Sequence, residues 1–181
     1  SLSNFYLMSK LGAYTPRGDR RIIYLSDPDS IIRSLPGGLN LPEIPTEENL
    51  RNWVDDLAEA KVDTFIQEAY SQGWTLYWRC EKFDYDQRPQ HRCFIPLLDA
   101  GVQPLEVLID QSHKHGMEFM AGFRMNLNHV HVSIQQGVGG GASYLTQDSR
   151  WMIKEYPPGD YFEINSMLDF TFQEVRDYIC E

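Results

Sequence analysis

The sequence predicts an α/β fold laid out like the first three β/α units of a (β/α)8 TIM-type barrel with long βα loops, and three observations lead there. Helix-to-strand turns are very short, at Ala60-Lys61 and at Gly116. Strand-to-helix connections are long and full of glycine, proline and aromatic residues. All the extra length therefore gathers on one face, where such barrels build their working loops. Three units also fill 181 residues, whereas a complete barrel takes about 250. The expected organisation is a single domain over residues 1–181, the N-terminal part of a barrel, with its remaining strands beyond the chain or its open sheet edges covered by self-association with another copy. A doubly wound sheet shares the same local pattern and is the rival architecture.

Ile22-Ile23-Tyr24-Leu25, ending at Ser26-Asp27, reads as a strand buried on both faces. Residues 28–45 carry Pro28, Pro36, Gly37, Gly38, Pro42 and Pro45, and read as loop. Thr46 stands at a helix N-cap with Glu47 and Glu48 in the first turn, where the positive helix end favours acids. Leu50, Trp53, Val54 and Leu57 follow at the spacing of a one-sided helix. Val62 to Ile66 is a second strand, and residues 67–102 are a long connection rich in aromatic and charged residues. Pro104 suits the first turn of another helix. Its inner face is expected to be Leu105, Leu108, Ile109 and Ser112, with Lys114 and His115 at its negative end and Gly116 closing it. The third strand spans about 117–123. A second long connection follows over 125–160, with Gly137, Gly139, Gly140 and Gly141 in it, then a short strand from Tyr161 to Met167. Thr171-Phe172-Gln173-Glu174 forms a capping box, flanked by Phe170 and Val175 at the hydrophobic-staple positions. Phe172, Val175 and Ile179 are the expected buried face of that last helix.

Composition narrows the function. Hydrophobic residues make up 42% and charged residues 23%, ordinary for a globular domain with a proper core. The net charge of -10, from 26 acidic and 16 basic residues, repels phosphate backbones, so nucleic acid is not an expected partner and a neutral or cationic small molecule suits the surface better. No apolar run approaches the ~20 residues of a membrane span, so no membrane partner is expected. No cationic leader with an apolar stretch opens the chain. The three cysteines are too few for a disulfide framework. Cys80 and Cys93 flank one loop, where free thiols are the preferred reading over a bridge.

The carboxyl ends of parallel strands are where ligands and catalytic groups collect. Asp27 and Asp29 follow the first strand and Glu68 follows the second. Asp27-Pro28-Asp29 also reads simply as a turn, which is the preferred reading. Arg124 and Asn126 alternate on the third strand with Gly122, so the three point the same way. Arg124 can clamp a carboxylate or bind hydroxyls, and Asn126 offers both donor and acceptor; an ion pair with a neighbouring strand end is the structural alternative for Arg124. Trp74, Tyr77, Trp78, Phe83 and Tyr85 crowd the loop after the second strand. Most are expected to hold the loop together, with Trp74 or Trp78 contributing one exposed face to a ligand pocket. His129 and His131 point to one side of an extended segment, as metal ligands do, although a site needs further ligands. No phosphate-binding loop is present in Gly137 to Gly141, since the Lys and Ser/Thr are missing. No cofactor and no metal are expected in the leading reading.

Three pieces, Val62-Asp63-Thr64, His115-Gly116-Met117-Glu118 running into Phe123-Arg124-Met125-Asn126, and Leu168-Asp169-Phe170 leading to Glu174-Val175-Arg176-Asp177-Tyr178, resemble a bacterial family of hypothetical glycosyl hydrolase-like barrels. The resemblance spans about Ile22 to Tyr178, and its middle piece is the most specific. Leu127, Asn128 and His129 stand where that family has an aspartate and then a histidine. The resemblance implies a carbohydrate-processing lineage whose intact parent is a retaining or inverting hydrolase acting through two carboxylates. Asp27, Arg124, Asn126 and His129 then orient substrate, with Trp74 and Trp78 as ring contacts. The catalytic carboxylate is expected on a strand beyond Glu181, so the catalytic residues are not assigned and the chain alone is expected to be inactive. Two alternatives stand beside this reading: a metal-dependent barrel hydrolase using His129 and His131, and a non-catalytic carbohydrate-binding module. Compartment is left open between periplasmic or secreted and cytoplasmic.

Overall fold

The first strand, β1 (Ile23–Ser26), begins where the Asp63 carboxylate accepts the Ile22 N–H at 2.7 Å. The computed structural model describes residues 21–40, 43–71, 74–125, 149–151 and 168–180. They form a mixed α/β structure, and the chain divides into two compact units, Ser1–Glu68 with Gln90–Gly122, and Ala69–Pro89 with Phe123–Glu181.

In the first unit β1 pairs in parallel with β2 (Thr64–Ser71), in a register running from Ile23 opposite Thr64 to Ser26 opposite Gln67. A further strand, β4 (Glu118–Phe123), lies on the other side of β2. The Glu118 N–H donates to the Asp63 carbonyl at 2.9 Å, and four residues on, a Cβ built on Gly122 would stand 3.3 Å from the Glu68 Cα. That matched advance makes the pair parallel, and it explains the glycine, since a side chain there would press on the neighbouring backbone.

β1 is not buried on both faces, as its apolar run suggests. Ile23 and Leu25 are 60% and 61% exposed, while Ser26 is fully buried. Alternation puts Tyr24 and Ser26 on one face, where Tyr24 meets Trp53 edge-on at 6.3 Å and Phe65 at 6.2 Å between centroids. Ile23 and Leu25 point the other way and stay open to solvent. Central β2 carries Phe65, fully buried and edge-on to Phe119 at 5.3 Å.

The expected loop over 28–45 contains a short helix, α1 (Ser30–Ser34), which buries Ile31 and Ile32. It fits between Pro28 and Pro36 and is too short to show a period. α2 (Glu47–Glu59) starts as expected, on a capping box in which the Asn49 N–H donates to the Thr46 hydroxyl and the Thr46 N–H donates to the Asn49 side chain. Leu50, Val54 and Leu57 are its buried face. The connection after β2 contains a 3-10 turn (Arg92–Phe94) and a short helix, α3 (Ile95–Asp99), which bury Phe94 and Leu98. α4 (Pro104–Lys114) ends where Gly116 adopts φ +69°, a left-handed backbone that only glycine takes without strain. Its buried residues are Pro104, Val107, Leu108 and Ser112. Leu108 and Ser112 are buried as expected, while Pro104 and Val107 join them in place of Leu105 and Ile109, which are only partly buried. Both stripes satisfy the 3.6 period, and packing against α2 selects between them.

The α2–α4 contact is laced by polar groups. Arg51 donates to Glu47, Asp110 and Gln111, Lys114 donates to Asp110, and Asp55 accepts from Gln111 and faces the His115 imidazole, both at 2.6 Å. The Gln111 amide above all, together with the His115 imidazole, holds the Asp55 carboxyl below its usual value against the opposing effect of burial. A carboxyl with a depressed folded value contributes stability that is present above its unfolded value near 4 and is lost as pH falls through the folded one. Thermal midpoints should therefore drop below about pH 4. Asp55→Asn should lower the midpoint at pH 7 and flatten that acid drop; an unchanged acid profile in the variant would remove Asp55 from the account.

In the second unit the end of β2 pairs antiparallel with β3 (Trp74–Thr75), Tyr70 opposite Thr75 and Ser71 opposite Trp74. β2 thus runs past the expected Ile66. Tyr70 stacks on Phe123 at 5.5 Å and meets Phe83 edge-on at 5.0 Å. The last helix, α5 (Gln173–Cys180), begins one residue later than the capping box places it. Asp169 accepts the Thr171 N–H at 2.9 Å, and Arg176 donates back to the Thr171 carbonyl at 2.9 Å, which holds the entry turn out of the helix. Val175 and Tyr178 are buried with Trp151 and Leu168, and Ile179 is partly buried against them. Phe172 is exposed, contrary to expectation, with its edge contact to Trp151 at 5.4 Å between centroids. The expected strand over 161–167 and the glycine-rich stretch 137–141 lie outside the described residues.

Candidate functional site

At the carboxyl ends of β1 and β2 the first unit buries polar side chains. Ser26 and Gln67 are fully buried and opposite each other in register, and Glu68 follows at 9% exposure. A strand end lined this way is unusual as mere packing, because burying polar atoms is unfavourable unless they are bonded. Gln67 donates through Nε2 to the Glu68 carbonyl at 3.2 Å, but its Oε1 has no hydrogen-bond partner among the described residues.

The turn after β1 divides two carboxylates between two tasks. Asp27 accepts the Asp29 N–H at 2.9 Å and shapes the turn. Asp29 Oδ1 lies 2.9 Å from His91 Nε2, and the Arg33 guanidinium stands 4.0 Å from Oδ2. The His91 side chain is fully buried, while that of Asp29 is 22% exposed. A buried imidazole thus holds a carboxylate that still reaches the surface. This pair could not be read from the sequence. Its members are 62 residues apart, and nothing local marks His91 in Gln90-His91-Arg92; the usable signal was that Asp29 follows a strand.

Glu68 lies inside β2 rather than after it. The other expected contacts that are described fall in the second unit. The Arg124 N–H, just past β4, donates to the Tyr70 carbonyl at 2.9 Å, and the Trp78 Nε1 donates to the Ala69 carbonyl at 3.0 Å. The two residues are thus anchored on successive carbonyls of β2. The Leu76 N–H also donates to the Ala69 carbonyl, at 2.8 Å, and Tyr77 takes φ +70° between these anchors. A left-handed tyrosine persists only where its surroundings over-determine it. The outcome is a half-buried Trp78 with a fixed ring. Trp74, in contrast, is 2% exposed and lies under the Arg88 guanidinium, so it belongs to the loop interior. Asn126, His129 and His131 lie outside the described residues.

Cys80 and Cys93 are free thiols. Burial pushes the Cys93 thiol up to about 12, which leaves it protonated and unreactive near neutral pH. Among the described residues no three His, Cys, Asp or Glu side chains gather as a metal site, and no helix is long and apolar enough to cross a membrane. A shallow concavity lined by Lys61, Asp63, His115 and Met117 sits at the amino ends of the strands, away from this chemistry. No protein-family model and no curated protein matches the chain.

Proposed function

We propose that the chain is the N-terminal part of a glycoside hydrolase-like (β/α) barrel and supplies part of its carbohydrate-binding cleft. One observation carries this reading: the carboxyl ends of the adjacent parallel strands β1 and β2 carry the buried polar residues Ser26, Gln67 and Glu68, and the turn after β1 carries Asp29, which a buried His91 holds. Strand ends of that kind are where α/β enzymes place the groups that touch substrate. Acceptor oxygens on a carboxylate and an amide suit the hydroxyl donors of a sugar, and an acidic chain favours a neutral ligand over a phosphorylated one. Taken by itself, the second unit supplies an aromatic surface of the kind sugar rings rest on, Trp78, pinned through its indole N–H. In the parent enzyme two carboxylates would perform the hydrolysis.

Titration calorimetry with cellohexaose, xylohexaose, maltohexaose and chitohexaose tests this. One series should bind, and Trp78→Ala should weaken that binding with the circular dichroism unchanged. No heat with any of the four at millimolar ligand would sink the reading.

A further inference from the structure

We infer that Phe123, the last residue of β4, is a stacking platform for the apolar face of a sugar ring, backed by the buried Tyr70. This rests on the carbohydrate reading above and adds a second aromatic contact to Trp78. Every residue it uses belongs to the second unit. The Tyr70 ring lies face to face with that of Phe123, 5.5 Å between centroids and 19° between planes. Tyr70 is held in turn: the Phe83 ring meets it edge-on at 5.0 Å, and Tyr178 meets Phe83 edge-on at 5.2 Å. The N–H of Arg124, next in the chain, donates to the Tyr70 carbonyl at 2.9 Å and fixes the backbone beside the platform. A held ring thus covers one face of Phe123, yet the residue is 45% exposed. That exposure belongs to its other face and its edge. A flat apolar surface, immobilised from behind and open in front, suits the C–H face of a sugar, and little conformational freedom is lost in using it. Its place at a strand end is where ligands collect in α/β proteins. Other rings fit less well. The net charge of -10 repels nucleotides and other anions. The Lys82 ammonium, 5.3 Å over the Phe83 ring and 5.0 Å over that of Tyr178, already gives this aromatic run its cation. A neutral ring is left. Phe172 is the contrasting case, exposed as well but in the turn before α5, edge-on to Trp151.

The test uses the full 181-residue chain and whichever of the four hexasaccharides above it binds. Phe123→Ala should weaken that binding about tenfold, the upper end of what one aromatic contact contributes. Phe123→Leu should lose about as much, and Phe123→Trp should keep the affinity, because the contact needs a ring and not merely apolar volume. In proton NMR the sugar C–H signals should move upfield on binding to the wild type and move less with Phe123→Leu. Phe172→Ala should bind as the wild type does. Unchanged affinity in Phe123→Ala, full affinity in Phe123→Leu, or an equal loss in Phe172→Ala would overturn the inference while leaving the carbohydrate reading intact. Should circular dichroism show that Phe123→Ala does not fold, the contrast between Phe123→Leu and Phe123→Trp decides alone. A wild-type chain that binds none of the four sugars overturns both.

Discussion

Arg88→Ala is expected to destabilise the protein by about 3–5 kcal/mol, the usual result of leaving one member of a buried ion pair alone. Asp86 is completely buried and Arg88 nearly so. The Arg88 Nε lies 3.1 and 2.9 Å from the two Asp86 oxygens, and the Arg88 N–H donates to Oδ1 at 2.9 Å. The pair also fixes its surroundings: the guanidinium covers the Trp74 ring at 5.8 Å, and the Asp86 N–H donates to the Thr75 carbonyl on β3 at 3.0 Å. Since a domain is stable by only about 5–15 kcal/mol, the loss should be plain in urea unfolding as a lower midpoint. The double variant Asp86→Leu/Arg88→Met should recover much of it, because the desolvated charge is then gone as well. A loss under about 1 kcal/mol in Arg88→Ala would mean that the pair behaves as an exposed one.

Phe65→Ala should cost about 3–5 kcal/mol through lost burial and the cavity left behind. Phe65 is fully buried near the start of β2, with Tyr24 on one side and Phe119 edge-on on the other. Truncation empties the junction of β1, β2 and β4 at once. Phe65→Leu should cost less, since it keeps most of the volume and loses mainly the aromatic edge contact. Equal losses in the two variants, measured by the same unfolding midpoints, would show that ring geometry rather than filled volume holds this junction.

The readings that held are those whose physics is local. Thr46 caps α2, Gly116 ends α4, and β4 starts at once after it, because a cap, a left-handed glycine and a short apolar run each depend on a few consecutive residues. The parallel α/β arrangement follows from short turns at one end and long connections at the other. Short or partly polar elements were missed. α1 occupies five residues between prolines, and the end of β2 carries Gln67 and Ser71, which read as loop until burial is seen. Of the expected ligand contacts, Asp27 serves its own turn and Trp74 fills the loop interior.

The sequence by itself determined where α2 begins, where α4 ends, that strands follow the two short turns, and the acidic balance of charge, all of which are properties of neighbouring residues and composition. Tertiary structure alone decided which face of α4 is buried, that β1 is covered on one side only, and that His91 meets Asp29 across 62 residues. Those outcomes depend on what packs from elsewhere in the chain. A 3.6-residue period accepts adjacent stripes equally well, and a hydrogen bond between distant residues leaves no trace in the spacing of either one.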